Sequence, residues 1–333
     1  MDLHRGLYVA DGCQYSNWSP ERFQEMQDGG LDLLVATVVY WENARETLAL
    51  VADWNRRFQA HSDIMTHVKS GAGLREARDQ RRMGVVLGAQ NCSPIEEDLG
   101  LVQVMRDLGL AIMQLTYNNQ SLIGAGCYED NDSGLSRFGR EVISEMNRVG
   151  MIVDLSHTSE RTSLEAIDYS SRPVCISHAN PLFYHESIRN KSNRVLKALA
   201  DRGGLLGFSL YPLHLKDKSE AKISDFCSMV RTTADRIGIE RIGIGSDLCL
   251  GWPYETVEWM RNGRWTHTTR FGEGDPAQSA WPAQPSWFQS SKDYPNISQA
   301  LSEAGFTQNE IRKVMGENWF EFLSQGLAPA AGA

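Results

Sequence analysis

The feature that most constrains this chain is its rhythm. Apolar, β-branched runs of strand length return along the sequence, and most are separated by stretches with helical spacing of apolar residues. The runs span 7–12, 31–40, 83–90, 111–117, 151–156, 173–179, 204–211 and 241–248. Their nearly unbroken apolar character, in place of strict alternation, is how strands buried on both faces of a parallel sheet read. The stretches between them, 43–59, 72–81, 96–108, 135–149, 159–169, 192–202 and 223–237, are amphipathic. Polar starts (Thr158-Ser159-Glu160, Ser224-Asp225) and glycine stops (Gly109, Gly150, Gly203, Gly238) mark several helix ends, each stop lying just before a strand. Repeated β then α allows an open doubly wound sheet or a closed barrel. About eight strands within some 250 residues favour the barrel. No GxGxxG or GxxxxGK[ST] follows a strand to support dinucleotide or P-loop chemistry.

The expected architecture is thus α/β, one (β/α)8 TIM barrel filling residues 1–325 of the 333, with 326–333 as a flexible tail. Residues 249–293 break the rhythm with a Gly, Pro and Trp-rich insertion after the eighth strand, carrying Trp252, Trp259, Trp265, Trp281 and Trp287. An aromatic loop of that length reads as a lid or a subunit contact, and a homo-oligomer is expected. A net charge of -9 lacks the cationic excess that nucleic acid or anionic membrane demands, so neither is an expected partner and a small molecule is. No apolar segment approaches the ~20 residues of a membrane span, and the first residues carry no signal-peptide pattern, which predicts a cytoplasmic chain. The six cysteines are scattered without a CxxC and are expected to be reduced.

In a barrel of this kind the chemistry gathers at the C-terminal ends of the strands. The first strand delivers Asp11, Cys13 and Tyr15, the third Gln90, and the fourth Tyr117. The fifth ends in His157, the sixth in His178 and Asn180, the seventh in Tyr211, and the eighth in Asp247. Two histidines on neighbouring strands can converge on one cation, and Asp247 can add a carboxylate or hold the attacking water. Arg189, in the loop after the sixth strand, suits a two-pronged hydrogen bond to a substrate carboxylate. Asn180 and Tyr211 are counted with it on the substrate side. The remaining histidines, at 4, 61, 67, 185, 214 and 267, read mostly as surface groups.

The runs GLSRFGREVISEMNRVGMIVDLSHTSERTSLEAI (134–167), RPVCISHANP (172–181), IRNKS (188–192) and IGIGSDL (242–248) closely resemble the renal or membrane dipeptidase family. That resemblance implies an amidohydrolase-like barrel with two bridged zinc ions that hydrolyses dipeptides bearing a free carboxyl end. It implies that His157 and His178 are ligands of the second metal, Asp247 the water-holding carboxylate, Arg189 the carboxylate-binding cation and Tyr211 a pocket wall. The departures are equally specific. The family's first-strand DGHxD stands here as DGCQY, so Cys13 and Tyr15 replace a histidine and an aspartate. Gln90 stands where the family has its bridging glutamate, and Tyr117 where it has a substrate-polarising histidine.

The expectation is a hydrolase with one zinc or other divalent ion on His157 and His178, weakly supported by Gln90 and open to Cys13 as a thiolate. Asp247 and Tyr117 would act on a small carboxylate-bearing dipeptide, amide or imine. The alternatives are a metal-poor homologue working as a lyase, isomerase or ligand binder, and a non-enzymatic role for the Trp-rich loop.

Overall fold

The computed structural model describes residues 3–264 and 282–328. Its strands are β1 (Val9–Gln14), β2 (Leu31–Val39), β3 (Met65–His67), β4 (Met83–Ala89), β5 (Leu110–Gln114), β6 (Ile152–Asp154), β7 (Cys175–Ile176), β8 (Leu205–Phe208) and β9 (Ile242–Ile244). They pair in parallel in the order β1-β2-β4-β5-β6-β7-β8-β9. The ring closes beyond the last strand, where Asp247 N donates to Cys13 O at 2.9 Å and Tyr15 N to Leu248 O at 3.0 Å. Eight strands with helices between them thus form the expected (β/α)8 barrel.

All eight strands read from the sequence are present. The additional β3 is only three residues long and partly polar, too short for a period to show. It pairs the first part of β4, with Met65 opposite Met83, and β5 pairs the later part, with Leu87 opposite Leu110. Helix ends follow local chemistry. Ser159 accepts from Thr162 N at the start of Glu160–Tyr169, and Gly150 takes a left-handed φ of 72° at the end of Arg137–Val149. Ser224 is not a cap, because the helix Ile223–Ile237 begins one residue before it.

The barrel interior is filled in an unusual way. The indole of Trp319, from the C-terminal helix Asn318–Gly326, enters between β1 and β9 and donates from Nε1 to Ile244 O at 2.8 Å. A Cβ at position 12 would lie 2.2 Å from that indole, so Gly12 gives it room. Nearer the site, the carbonyl of Ser177 lies where Cβ atoms at 207 and 245 would be, 2.0 and 1.7 Å away. Glycine at those two positions lets the chain after β7 lean inward, and this carries His178 toward the axis.

Two expectations are corrected at the C-terminal side. The insertion 249–293 is not without regular structure, since Tyr254–Asn262 forms a helix; Trp265 and Trp281 lie outside the described residues. The tail does not begin at 326, because the last helix runs to Gly326 and Leu327 is fully buried, its carbonyl accepting from Arg106 Nη2 at 3.1 Å. No described helix is long and apolar enough to cross a membrane.

Candidate metal and substrate site

Two carboxylates build the rim before any ligand is considered. Asp154, at the end of β6, accepts from Ser156 N and Ser177 N at 3.0 Å each, from Ser156 Oγ at 2.6 Å and from Ser177 Oγ at 2.5 Å. Asp11, on β1, repeats the device. It accepts from Cys13 N at 3.2 Å and Ser246 N at 2.7 Å, from Ser246 Oγ and Tyr294 Oη at 2.5 Å, and from Gln14 Nε2 at 2.8 Å. In each case an aspartate ties its own strand to a serine on the next one. The residue after that serine, His178 or Asp247, is thereby placed. Burial raises both carboxyl pKa values, and the converging donors oppose that shift.

The hydroxyl of Ser177 gives its proton to Asp154 and therefore accepts from His178 Nδ1 at 2.8 Å. This assigns the His178 proton to Nδ1 and leaves a lone pair on Nε2. Asn118 Oδ1, 2.6 Å from His157 Nδ1, assigns the same tautomer there. Burial, with Arg189 next in effect, holds both imidazoles well below the usual histidine pKa, hence neutral. The two Nε2 atoms are 3.0 Å apart, and Gln90 Oε1 is 3.1 Å from that of His157. Two further acceptors thus stand beside the His157 lone pair. Two nitrogens on one tetrahedral zinc with bonds of about 2.05 Å stand about 3.3 Å apart, so the spacing fits a single ion. The same lone pair of His157 also meets Arg189 Nη2, a donor, at 3.1 Å.

The β1 side is different. Gln90 Nε2 donates to Thr37 Oγ1 at 2.8 Å and toward Cys13 Sγ at 3.2 Å, so it presents N–H groups where a second ion would need lone pairs. Cys13 Sγ, a His178 ring nitrogen and an Asp247 oxygen lie within 4.8 Å of one another. Burial, reinforced by the Asp247 carboxylate, pushes the Cys13 thiol well up, so a thiolate there needs a cation beside it. Tyr15 is likewise pushed up by burial and Asp247.

Asp247 reaches the site on strained backbone, at φ 58°, with its oxygen 3.9 Å from His178 Nε2. Tyr117 stacks on His157 at 4.2 Å. Gln90, Tyr117, His157, Arg189, Tyr211 and Asp247 all line one narrow cavity of about 30 Å³. Cys13 and His178 sit beneath this lining. Asn180 does not reach it, because its amide is spent on Ser209 O at 2.9 Å, His214 O at 3.2 Å and Ser209 N at 3.0 Å. It ties the loops after β7 and β8 together. A larger cavity of about 360 Å³ lies at the opposite end of the barrel, around Arg172 and Arg241, away from all these groups.

The sequence reading missed several wall residues. His214 is buried, with Nδ1 2.8 Å from Ser209 Oγ, and it is no surface group. Asn118 orients His157 from a positive φ of 61° that no periodicity signals. Met260 and Arg261 come down from the insertion helix, which is pinned by Trp41 Nε1 donating to Met260 O at 3.0 Å and Trp252 Nε1 to Tyr15 O at 2.7 Å. The tryptophan content of the insertion was the available signal.

This fold and rim define a metal-dependent hydrolase of the amidohydrolase-like barrel class. The profile of the membrane dipeptidase family (peptidase family M19) matches residues 9–260, and the chain belongs to that family. It is 25% identical to the dipeptidase tcpJ of Claviceps purpurea over 98% of this chain and 69% of that one. An amidohydrolase of Pseudomonas aeruginosa shares 36% identity and a TM-score of 0.91 over 98% of both chains. A metallopeptidase of Rhodobacter sphaeroides, liganded with a phosphinate mimic of L-Ala-D-Ala, shares the fold at 17% identity and TM-score 0.81, over 96% of this chain and 99% of that one.

Proposed function

We propose that the protein hydrolyses a small carboxylate-bearing dipeptide or related amide with a single divalent ion, zinc by preference, held by His157, His178 and Gln90. One observation carries this reading: His157 Nε2 stands 3.0 Å from His178 Nε2 and 3.1 Å from Gln90 Oε1, while the amide of the same Gln90 turns N–H groups toward the β1 side. A glutamate there would offer an oxygen to each of two ions; glutamine offers one. When bound, a divalent cation supplies Lewis-acid polarisation of the scissile carbonyl.

The chain's own groups do the rest. Asp247 takes a proton from the attacking water as the C–O bond forms, and returns it to the leaving amine as the C–N bond then breaks. Tyr117 offers a phenol to the developing oxyanion. Arg189, whose Nη2 stands 3.1 Å from His157 Nε2, would offer its guanidinium to the substrate carboxylate. Tyr211 and the insertion helix, read as a lid, wall the cavity, and the single-domain, homo-oligomeric, cytoplasmic organisation belongs to the same proposal.

The test pairs elemental analysis of protein purified without chelator with a panel of dipeptides, N-acyl amino acids, lactams and cyclic imines. One equivalent of metal per chain and hydrolysis of at least one carboxylate-bearing class are expected. Two equivalents that survive desalting refute the one-metal reading, and no hydrolysis with zinc, manganese or cobalt refutes the hydrolase.

A further inference from the structure

The charge of the cavity wall is unbalanced. Among the described lining residues Asp247 supplies one carboxylate, and Arg189 and Arg261 supply two guanidinium groups. The imidazole of His157 and the phenol of Tyr15, which also line it, are held neutral by burial. A divalent ion adds two more positive charges. Such a cavity favours a substrate that brings more than one negative charge.

The two arginines differ in origin. Arg189 rises from the loop after β7 and is fixed at the floor, with Nη1 bonded to Ser156 O and Nη2 to His157. Arg261 descends from the helix Tyr254–Asn262 in the roof, where its Nη2 donates to the hydroxyl of Tyr211 at 2.9 Å. That hydrogen bond fixes the guanidinium in the wall of the same cavity that Arg189 lines.

The geometry points to Arg261 as a specificity residue that receives a second carboxylate, so that the preferred substrate is a dicarboxylate: an aminoacyl or acyl derivative of aspartate or glutamate, with its α-carboxylate on Arg189 and its side-chain carboxylate on Arg261. The assignment of the α-carboxylate rests on the hydrolase reading above. The binding arm of the test does not depend on turnover.

The experiment compares isosteric pairs that differ only in the second charge. For the metal-loaded protein, kcat/KM is measured on L-Ala-L-Asp and L-Ala-L-Asn; for binding, calorimetry is run with N-acetyl-aspartate and N-acetyl-asparagine. The wild type is expected to prefer the acidic member of each pair by at least about tenfold, the scale of a desolvated charge pair. Arg261→Gln is expected to cut that preference ratio to within about threefold, and Arg261→Lys to restore part of it. Equal affinity of the wild type for the two N-acetyl ligands, or binding of neither, overturns the proposal. So does an Arg261→Gln variant in which both members fall together, because Arg261 then only braces Tyr211. If neither dipeptide is cleaved while N-acetyl-aspartate still binds selectively through Arg261, the hydrolase reading fails and the dicarboxylate site stands.

Discussion

The Asp11–Ser246 and Asp154–Ser177 clamps are built alike and used differently. Each aspartate bonds the amide two residues on and the amide and hydroxyl of a serine on the neighbouring strand. At β6 and β7 the clamp continues through Ser177 Oγ into the ring of His178, so the carboxylate fixes both the place and the tautomer of an imidazole. At β9 and β1 it stops at the backbone. Asp247 is then aimed only by a left-handed turn, and Cys13, the residue opposite, is a buried thiol. The scaffold is alike on both sides of the barrel, whereas an imidazole stands on one side and a carboxylate and a thiol on the other. Such a difference shows that one main-chain framework can carry different donor atoms.

The strongest way to break the comparison is to remove the donors themselves. His157→Ala and His178→Ala are each expected to weaken metal binding by more than about 100-fold in equilibrium dialysis, whereas Cys13→Ser changes it by less than about threefold. Loss of the metal from Cys13→Ser would place the β1 side in the coordination shell and erase the asymmetry. A sharper probe replaces the clamps. Asp154→Asn and Asp11→Asn should each lower unfolding free energy in urea by on the order of 2–4 kcal/mol, since each leaves buried donors imperfectly paired. Only Asp154→Asn should also weaken metal binding, by about 10–100-fold, because only that clamp reaches a ligand ring. Equal effects on metal affinity from both variants would mean that the clamps differ in name alone.

The smallest effect is expected from a histidine outside both clamps. Burial, the largest influence, holds the pKa of His67 down to about 4, while its ring stacks on Phe58 and bonds Gly109 O at 3.2 Å. The unfolded chain takes up this proton near pH 6.5 and the native chain only near 4, so stability is full above the higher value and falls as pH drops between them. The contribution is on the order of 3 kcal/mol. His67→Gln should flatten the slope of unfolding free energy between those pH values, and an unchanged slope would assign it to other groups.

The barrel was legible because strands buried on both faces write themselves as unbroken apolar runs, and glycines such as Gly109 and Gly150 punctuate the helices between them. His157, His178 and Asp247 were legible because they stand next to strand ends. What failed to show was whatever depends on side-chain direction. Asn180 follows His178 by two residues, yet its amide turns away to brace two loops. Arg261 lies in a segment without a readable period and enters the cavity only because its helix is pinned by Trp41 and Trp252. Asn118 and His214 belong to loops whose course is set by distant partners.

Trp319 carries a consequence for biosynthesis. The indole that occupies the middle of the barrel is translated after every described strand of it, while Gly12 and Gly243, which make room for it, are set some 307 and 76 positions earlier in the chain. Until that helix leaves the ribosome, β1 and β9 face a void instead of an indole, and the rim they carry has no floor beneath it. A premature stop codon anywhere before Trp319 is therefore expected to yield an open, aggregation-prone sheet and not a shortened enzyme.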